Sequence, residues 1–290
     1  MNEKKVFVFS RDPGGANVVG AMVAPLTARG FEVLLFGKDY ALDVFRDLGL
    51  HANDILKEME SVSIEEMERL FAELKPDLVL TGTTGDDMNE RYIWKAARLS
   101  GIPSFAILDS WMNLSMRFSS STMMDLEKAI EQGESPWAPD CLFVMDEYCK
   151  SRLIKAGLTS TRIEITGQPY LEHLLRVKDD LGAQAADEEK DTTVRILFVS
   201  QPLAMLCEQS ENGEGCWGYT EKDIARRIIE VLGKEAKGST KKIYLNIKCH
   251  PKESLEDYAE FIKGLKCDDI KISFDTDQNK FMSLISADLV

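Results

Sequence analysis

Apolar and polar positions in the first part of the chain follow one repeating pattern, a short apolar run and then helical spacing. Residues 5–10 form the first run, and apolar positions three or four apart over 17–29 predict a helix that ends at Gly30. Residues 32–37 and 41–48 repeat the strand and the helix. Because such alternation builds parallel sheets, it predicts an α/β fold with helices on both sheet faces.

The alternation continues, is interrupted once, and then restarts. Residues 178–193 are polar and poor in large apolar side chains, which predicts a linker. We therefore expect an N-terminal Rossmann-like domain over residues 1–177 and a C-terminal Rossmann-like domain over residues 194–290. The second domain is short, and residues 287–290 look like half of another strand, so we expect this domain to be truncated.

Charge and composition narrow the range of partners and compartments. The chain has 290 residues, with 49 carboxylates against 35 lysines and arginines and a net charge of −14. This negative charge disfavours nucleic acid and anionic membranes as main partners. No signal-peptide region is visible, and no apolar run approaches the ~20 residues of a membrane span. We therefore expect a cytoplasmic protein without an integral membrane segment.

The cysteines show no pair with the C-x-x-C spacing of a zinc site. We expect reduced and mostly buried thiols, as is usual in the cytoplasm. Cys207 and Cys216 flank a glycine-containing stretch, and they form the one pair that we expect to be able to join on oxidation.

Ligands of open parallel sheets bind beyond the carboxyl ends of the strands, so the residues after each predicted strand define the candidate site. In the N-terminal domain the strand ends are residues 12–15, 82–87, 109–111 and 146–147, and the candidate residues there and just beyond are Asp12, Gly14, Gly15, Thr83, Thr84, Asp86, Asp109, Trp111 and Asn113. In the C-terminal domain they are Ser200, Gln201, Lys248, His250 and Lys252. We expect charged residues elsewhere to lie on solvated helix faces.

Gly14 and Gly15 precede a helix and permit two interpretations. They allow a ligand to approach the backbone closely and offer free amides to an anion, or they simply make a tight turn. Their spacing is not G-x-G-x-x-G, and no acidic residue ends the second strand. These departures argue against a dinucleotide site.

Two further strand ends suit nucleotide and sugar chemistry. His250 lies between two lysines, a set that suits a phosphate or diphosphate; a surface histidine bonded to its own loop is the alternative. Asp109 ends an apolar strand, where a carboxylate serves as a general base or accepts a sugar hydroxyl, or caps the next segment. Trp111 and Asn113 follow it and offer stacking and hydrogen bonds to a sugar ring.

Short motifs resemble a known superfamily. Residues 144–148 (VMDEY) and 162–171 (RIEITGQPYL) are similar to the part of the non-hydrolysing UDP-N-acetylglucosamine 2-epimerases in which strands end in Thr-Glu and in Thr-Gly-Asn. Residues 81–83 stand where these epimerases have His-Gly-Asp-Thr, and Asp109 stands where they have the glutamate of His-Val-Glu-Ala-Gly. With two Rossmann-like halves, the chain resembles the GT-B superfamily, which also includes nucleotide-sugar glycosyltransferases.

The chain also departs from the epimerase pattern. Residues 200–203 (SQPL) replace the epimerase sequence His-Arg-Arg-Glu-Asn, and Thr83 replaces a carboxylate, which argues against epimerase activity. Residues 248–253 (KCHPKE) look more like the His-Pro motif of bacterial sialyltransferases and polyol-phosphate transferases. In those families the histidine meets the nucleotide phosphate, so the resemblance implies this contact for His250.

The resemblance implies a metal-independent glycosyltransferase-like protein with a nucleotide-sugar donor, no cofactor, and a site in the cleft between its domains. Asp109 or Asp12 would deprotonate a saccharide or another hydroxyl acceptor. The implied phosphate contacts are His250, Lys248, Lys252, Gly14, Gly15, Ser200 and Gln201. The implied sugar or acceptor contacts are Thr83, Thr84, Asp86, Trp111 and Asn113.

Two alternatives remain at this point. A sugar epimerase or hydrolase of the same fold requires Asp109 to converge with Asp86 or Glu90. A degenerate GT-B protein that binds a ligand without turnover requires no such pair. A homodimer is compatible with each of these functions.

Overall fold

The computed structural model divides the chain into two compact units, Met1–Leu174 and Leu175–Val290. The described residues are 4–122, 124–182, 192–208, 216–250, 253–265, 269–275 and 286–290. A helix at Pro169–Gly182 extends into the stretch expected to be a linker, so residues 178–182 are helical. The next residues of that stretch, 183–191, lie outside the described residues.

The first unit contains a sheet of seven parallel strands, as the alternation predicts. They are β1 (Lys4–Ser10), β2 (Phe31–Gly37), β3 (Asn53–Asp54), β4 (Leu78–Thr81), β5 (Ser104–Ile107), β6 (Cys141–Val144) and β7 (Arg162–Ile165). Their order across the sheet is β3-β2-β1-β4-β5-β6-β7. The order runs outward from β1 in both directions, so the switch point, where ligands of such sheets bind, lies between β1 and β4.

Helices cover both faces of this sheet. They are α1 (Pro13–Ala28), α2 (Tyr40–Asp47), α3 (Ile64–Leu74), α4 (Asn89–Leu99), α5 (Leu126–Glu131), α6 (Glu147–Lys155) and α7 (Pro169–Gly182). Side chains of β1 point alternately to the two faces, so Phe7 and Phe9 join the core of α3 and α4. Val6 and Val8 join the core of α1 and α2. None of the helices in the described ranges has the length and apolar composition needed to cross a membrane.

Helix α1 begins four residues earlier than its apolar spacing predicts. Asp12 has extended backbone angles, φ −82° and ψ 151°, and Pro13 is the first helical residue. Proline suits this position because its fixed φ is already helical and its missing N–H would have no partner there. The expected loop over residues 10–17 is therefore short, and Gly14 and Gly15 lie in the first turn of α1.

Within the described residues, the second unit has three parallel strands in the order β10-β9-β8. They are β8 (Thr193–Val199), β9 (Lys242–Lys248) and β10 (Lys271–Phe274), with helices α8 (Leu203–Glu208), α9 (Glu221–Ala236) and α10 (Leu255–Lys263). Ile229, Leu245 and Tyr258 lie in its buried core. Leu289 bridges Ile196 in parallel, so the apolar segment near the chain end contacts β8.

Two of the cysteines are joined. Cys207 and Cys216 form a disulfide with their Cα atoms 4.5 Å apart, which lies within the separation that a disulfide requires. The expectation of reduced thiols is therefore wrong for this pair. Cys149 is a buried thiol, and burial raises its pKa to about 11, which keeps it protonated. Cys267 lies outside the described residues.

Candidate functional site

The carboxyl ends of β1, β4 and β5 lie side by side because these strands are neighbours in the sheet. They end at Ser10, Thr81 and Ile107. The loops and the helix turn beyond them carry the site residues predicted for the N-terminal domain. We call the polar cluster at this place the strand-end site. Its members are Arg11, Asp12, Thr83, Thr84, Asp86, Asp109 and Arg117.

Arg11 holds the carboxylates on the β1 side of the strand-end site. Its Nη1 donates to Asp12 Oδ1 at 3.0 Å and to Asp86 Oδ1 at 2.8 Å. Its Nε donates to Asp39 Oδ2 at 3.1 Å. Burial lowers the pKa of Arg11, but these carboxylates outweigh burial and raise it. The sequence pattern did not single out Arg11, although a basic residue beside Asp12 at a strand end is a visible signal.

Thr84 lies between two carboxylates. Its Oγ1 is 2.5 Å from Asp12 Oδ2 and 2.8 Å from Asp86 Oδ1. Burial raises the pKa of Asp12 above its ordinary value, although the hydrogen bond from Thr84 lowers it. Burial also acts to raise the pKa of Asp86, but Thr84 and Arg11 outweigh burial there and lower it. The two aspartates therefore differ in proton affinity.

Asp109 and Arg117 form the β5 side of the strand-end site. Arg117 Nη1 donates to Asp109 Oδ1, to Thr83 Oγ1 at 2.7 Å and to Thr83 O at 3.1 Å. The Asp109 side chain is only 14% exposed. Arg117 comes eight residues after Asp109, and local spacing gave no sign of this ion pair. The pair fixes the carboxylate and joins the loop after β4 to the loop after β5.

The two glycines of α1 are required by close packing. A β-carbon on Gly14 would overlap the Asp109 carboxylate, and one on Gly15 would lie 2.5 Å from Ser10 Oγ and 3.3 Å from Gly82 Cα. Real β-carbons essentially never come within 3.0 Å of another atom in this way. Close approach of the helix to the strand ends therefore explains both glycines.

Trp111 and Asn113 lie on the loop after β5. Trp111 Nε1 donates to Asp146 Oδ2 at 2.7 Å, while half of the residue's surface stays exposed. Asp146 Oδ1 accepts a hydrogen bond from the backbone amide of Cys149 at 2.9 Å. This bond, and to a smaller extent the one from Trp111, lowers the pKa of Asp146. Asn113 has a φ of 52°, a conformation that asparagine tolerates better than most residues. An anchored and exposed indole is suited to stacking on a ring.

Arg91 is a buried residue of α4 that ties the two site loops together. Its guanidinium donates to carbonyl oxygens of Thr84 at 3.1 Å and Gly85 at 3.3 Å on the loop after β4. It also donates to Met116 O at 2.7 Å and Arg117 O at 2.9 Å after β5. We expected charged residues of this helix to face solvent; for Arg91, 1% exposed, that expectation is wrong, because the loops fold over it.

Glu90 precedes Arg91 and is also buried. It is 1% exposed, and neither carboxyl oxygen has a hydrogen-bond partner among the described residues. Burial raises its pKa to about 8, and the charges of Asp12 and Asp87 add to this effect. Glu90 is therefore a neutral acid at neutral pH that lies next to the strand-end site. Across the described ranges, no three His, Cys, Asp or Glu side chains are arranged to hold a metal ion.

In the second unit, carboxylates hold the donor groups predicted to meet a phosphate. Glu253 Oε1 accepts the hydroxyl of Ser200 at 2.7 Å, and Glu253 Oε2 accepts the amide of His250 at 2.5 Å. Lys248 Nζ is paired with Asp275 Oδ2. Gln201 is exposed. Pro251 and Lys252 lie outside the described residues, so the His-Pro motif stays a prediction.

Comparison with known proteins gives matches only at the level of structure. No family model matches the chain, and no curated protein matches it. The structure of S. aureus MnaA with UDP is similar with a TM-score of 0.57 and 19% identity, over 93% of this chain and 68% of that one. A UDP-N-acetylglucosamine 2-epimerase is similar with a TM-score of 0.55 and 14% identity, over 94% of this chain and 67% of that one.

These similarities bear out the architecture that the strand and helix pattern predicts. Both matches extend over nearly the whole of this chain, and both described units consist of parallel strands that alternate with helices. The chain therefore has the two-unit α/β fold of the GT-B type that UDP-N-acetylglucosamine 2-epimerases share.

Proposed function

We propose that this chain is a glycosyltransferase-like protein that takes a nucleotide-activated sugar as donor and binds a hydroxyl acceptor at the strand-end site. The observation that carries the proposal is that Asp12, Thr84 and Asp109 lie beyond the neighbouring carboxyl ends of β1, β4 and β5, at and beside the switch point of the first sheet. Carboxylates and hydroxyls held at fixed positions accept hydrogen bonds from sugar hydroxyls and can remove a proton from one of them.

The charge balance of the strand-end site favours a hydroxyl compound over a phosphate there. Arg11 contacts Asp12, Asp39 and Asp86, and Lys38 pairs with Asp87 at 3.3 Å. On the β1 side of the strand-end site and beside it, the four carboxylates of Asp12, Asp39, Asp86 and Asp87 thus face the two cations of Arg11 and Lys38, so the surplus charge there is negative. An anion would be repelled, whereas hydroxyl groups can donate to the carboxylates. We assign the phosphate of the donor to the donor groups around His250 in the second unit, as the His-Pro resemblance implies.

Asp12 is the better of the two proposed bases. Its side chain is 30% exposed, and its raised pKa increases its affinity for an acceptor proton. Asp109 is less exposed and is paired with Arg117, so its oxygens are less available to an acceptor hydroxyl. We therefore assign proton removal to Asp12 and positioning of the acceptor to Asp109.

The fold neighbours support the class of donor. The S. aureus MnaA structure contains UDP, and the other neighbour is named for a UDP-sugar substrate, so UDP and UDP-sugars are the first ligands to test. The proposal needs no cofactor beyond the nucleotide sugar. We also propose a cytoplasmic location. A measurement of the molecular mass in solution tests for a homodimer.

Calorimetry with UDP, CMP, GDP and their sugars tests the proposal. We expect one nucleotide family to bind the wild-type chain, and Asp12→Asn to retain this binding but lose sugar transfer to a mixture of hydroxyl acceptors. Asp43→Asn is the matched control, because Asp43 lies on the surface of α2, where it pairs with the exposed Arg46 three residues later. Absence of nucleotide binding would overturn the proposal.

Epimerisation is the second candidate, because the neighbours with this fold include UDP-N-acetylglucosamine 2-epimerases. Incubation with UDP-N-acetylglucosamine alone, followed by NMR of the sugar protons, separates the two activities. An epimer formed without any acceptor would replace the transferase proposal.

A further inference from the structure

The Thr84 hydroxyl has one hydrogen but two carboxylate neighbours. Its oxygen lies 2.5 Å from Asp12 Oδ2 and 2.8 Å from Asp86 Oδ1, and both distances are those of O–H···O hydrogen bonds. A hydroxyl donates once and accepts twice. Two ionised carboxylates can therefore not both be bonded to it, since one close pair of oxygens would lack a hydrogen. The geometry needs one additional proton.

The surroundings of the two aspartates decide where this proton lies. Asp12 is the more buried, with its side chain 30% exposed against 57% for Asp86. Arg11 Nη1 contacts both carboxylates, so this cation does not by itself distinguish them. The carboxyl of Glu90 lies near Asp12, while the positive charge of Arg117 acts on it from the β5 side. Burial leaves Asp12 as the better place for a proton.

We propose that Asp12, Thr84 and Asp86 form a relay that shares one proton, in which the carboxyl of Asp12 donates to the Thr84 hydroxyl and this hydroxyl donates to ionised Asp86. The protonated pair then carries a single negative charge, which lies on Asp86 beside Arg11. The opposite directions of the two pKa shifts agree with this arrangement.

The relay deepens the proposed function and rests on it for its catalytic meaning. Before reaction the pair lacks the additional proton, so the Thr84 hydroxyl donates to only one of the two carboxylates; the described geometry is that of the pair after it has taken up the proton. The acceptor O–H bond breaks, its proton passes to Asp12, and the acceptor oxygen forms a bond to the anomeric carbon of the sugar. The bond from that carbon to the nucleotide phosphate breaks, and its electron pair leaves with the phosphate. The relay holds the proton after this step, so Thr84 is a positioning residue that acts through Asp12.

Carbon NMR of the chain labelled at its aspartate carboxyls tests the relay without any ligand. Asp12→Asn and Asp86→Asn assign the two signals. In the wild type we expect both carboxyl signals to respond to one common protonation step, with its midpoint above that of an ordinary aspartate, as for strongly coupled sites. Independent titration of the two aspartates with ordinary midpoints would overturn the relay.

Two substitutions of similar shape make the test specific for the hydroxyl. Thr84→Val keeps the volume but removes the hydroxyl, so we expect the two responses to separate. Thr84→Ser keeps the hydroxyl, and we expect the common step to persist. A common step that survives in Thr84→Val would show that Arg11 or direct charge coupling, and not the hydroxyl, links the pair. If Thr84→Val does not fold, Thr84→Ala, which also lacks the hydroxyl, takes its place with the same expected result.

The two proposals fail separately. A chain that binds no nucleotide in calorimetry but shows the common step retains the relay and loses the proposed transfer function. A chain that transfers sugar while Asp12 and Asp86 titrate independently retains the function and loses the relay.

Discussion

Gly14 lies so close to Asp109 that a β-carbon on residue 14 would overlap Asp109 Oδ2. The first turn of α1 and the end of β5 thus fit together only because residue 14 has no side chain. This contact fixes the position of α1, which follows Asp12, relative to the carboxylate of Asp109. The distance between Asp12 and Asp109 therefore depends on how α1 packs against the end of β5.

Gly14→Ala is expected to destabilise the chain by about 1–3 kcal/mol, the usual cost of overpacking a well-packed site. Urea unfolding measures the change. The overlap is relieved if Asp109 is shortened, because the Asp109 Cβ would lie 3.6 Å from the new methyl group. We therefore expect Gly14→Ala to cost less in an Asp109→Ala background, as a double-mutant cycle would show. Equal costs in both backgrounds would contradict the contact.

Arg91→Met is expected to destabilise the chain by about 2–4 kcal/mol, because several buried carbonyl oxygens lose their donor. The loops after β4 and β5 lose their common anchor, so binding of any ligand at the strand-end site should weaken as well. Arg98→Met on the same helix is the control. Arg98 is more than half exposed, and we expect a loss of at most about 1 kcal/mol there. Similar losses for both variants would show that Arg91 is not the anchor.

The stability of the chain is expected to depend on pH through Glu90. Its pKa is 4.5 in the absence of burial and about 8 in the fold. Because the pKa is raised in the fold, the contribution of Glu90 to the free energy of unfolding is fully present below the unfolded-state pKa of 4.5. It is lost as the pH rises through the folded-state pKa of about 8. Each unit of difference is worth ~1.4 kcal/mol at most.

Glu90→Gln removes this ionisation. We expect the variant to gain stability relative to the wild type as the pH rises from about 5 to about 8, measured by urea unfolding at several pH values. Glu65→Gln is the control, because Glu65 is exposed in the first turn of α3. A constant difference between wild type and Glu90→Gln across this range would contradict the buried acid.

Glu253→Gln is expected to strengthen binding of UDP about three- to tenfold, or ~1 kcal/mol. The carboxylate of Glu253 holds the Ser200 hydroxyl and the His250 amide, and its charge repels a phosphate that would use the same donors. Calorimetry measures the affinity. Glu256→Gln, at an exposed position nearby, should leave it unchanged. Weaker binding in Glu253→Gln would show that Glu253 supports the donor groups instead of competing for them.

Several parts of the fold were predictable because their signals are local. Apolar runs such as residues 5–10 determine buried strands, and glycines such as Gly30 mark helix ends. Since parallel strands end at one edge of the sheet, the positions of Asp12, Thr84 and Asp109 followed from counting strand ends. The start of α1 at Pro13 was missed, because two glycines in succession look like a loop when the packing that requires them is not known.

The sequence by itself therefore determined the α/β class, most strand ends and the list of residues near the site. Only the tertiary structure decided which of them touch. The burial of Glu90 and Arg91 depends on loops that fold over α4. The partner of Asp109 is Arg117, which lies eight residues later in the loop after β5. Thr84 bridges two carboxylates that are 74 residues apart in the sequence. Burial and hydrogen bonding depend on contacts between distant segments, and a periodic pattern along one segment does not contain them.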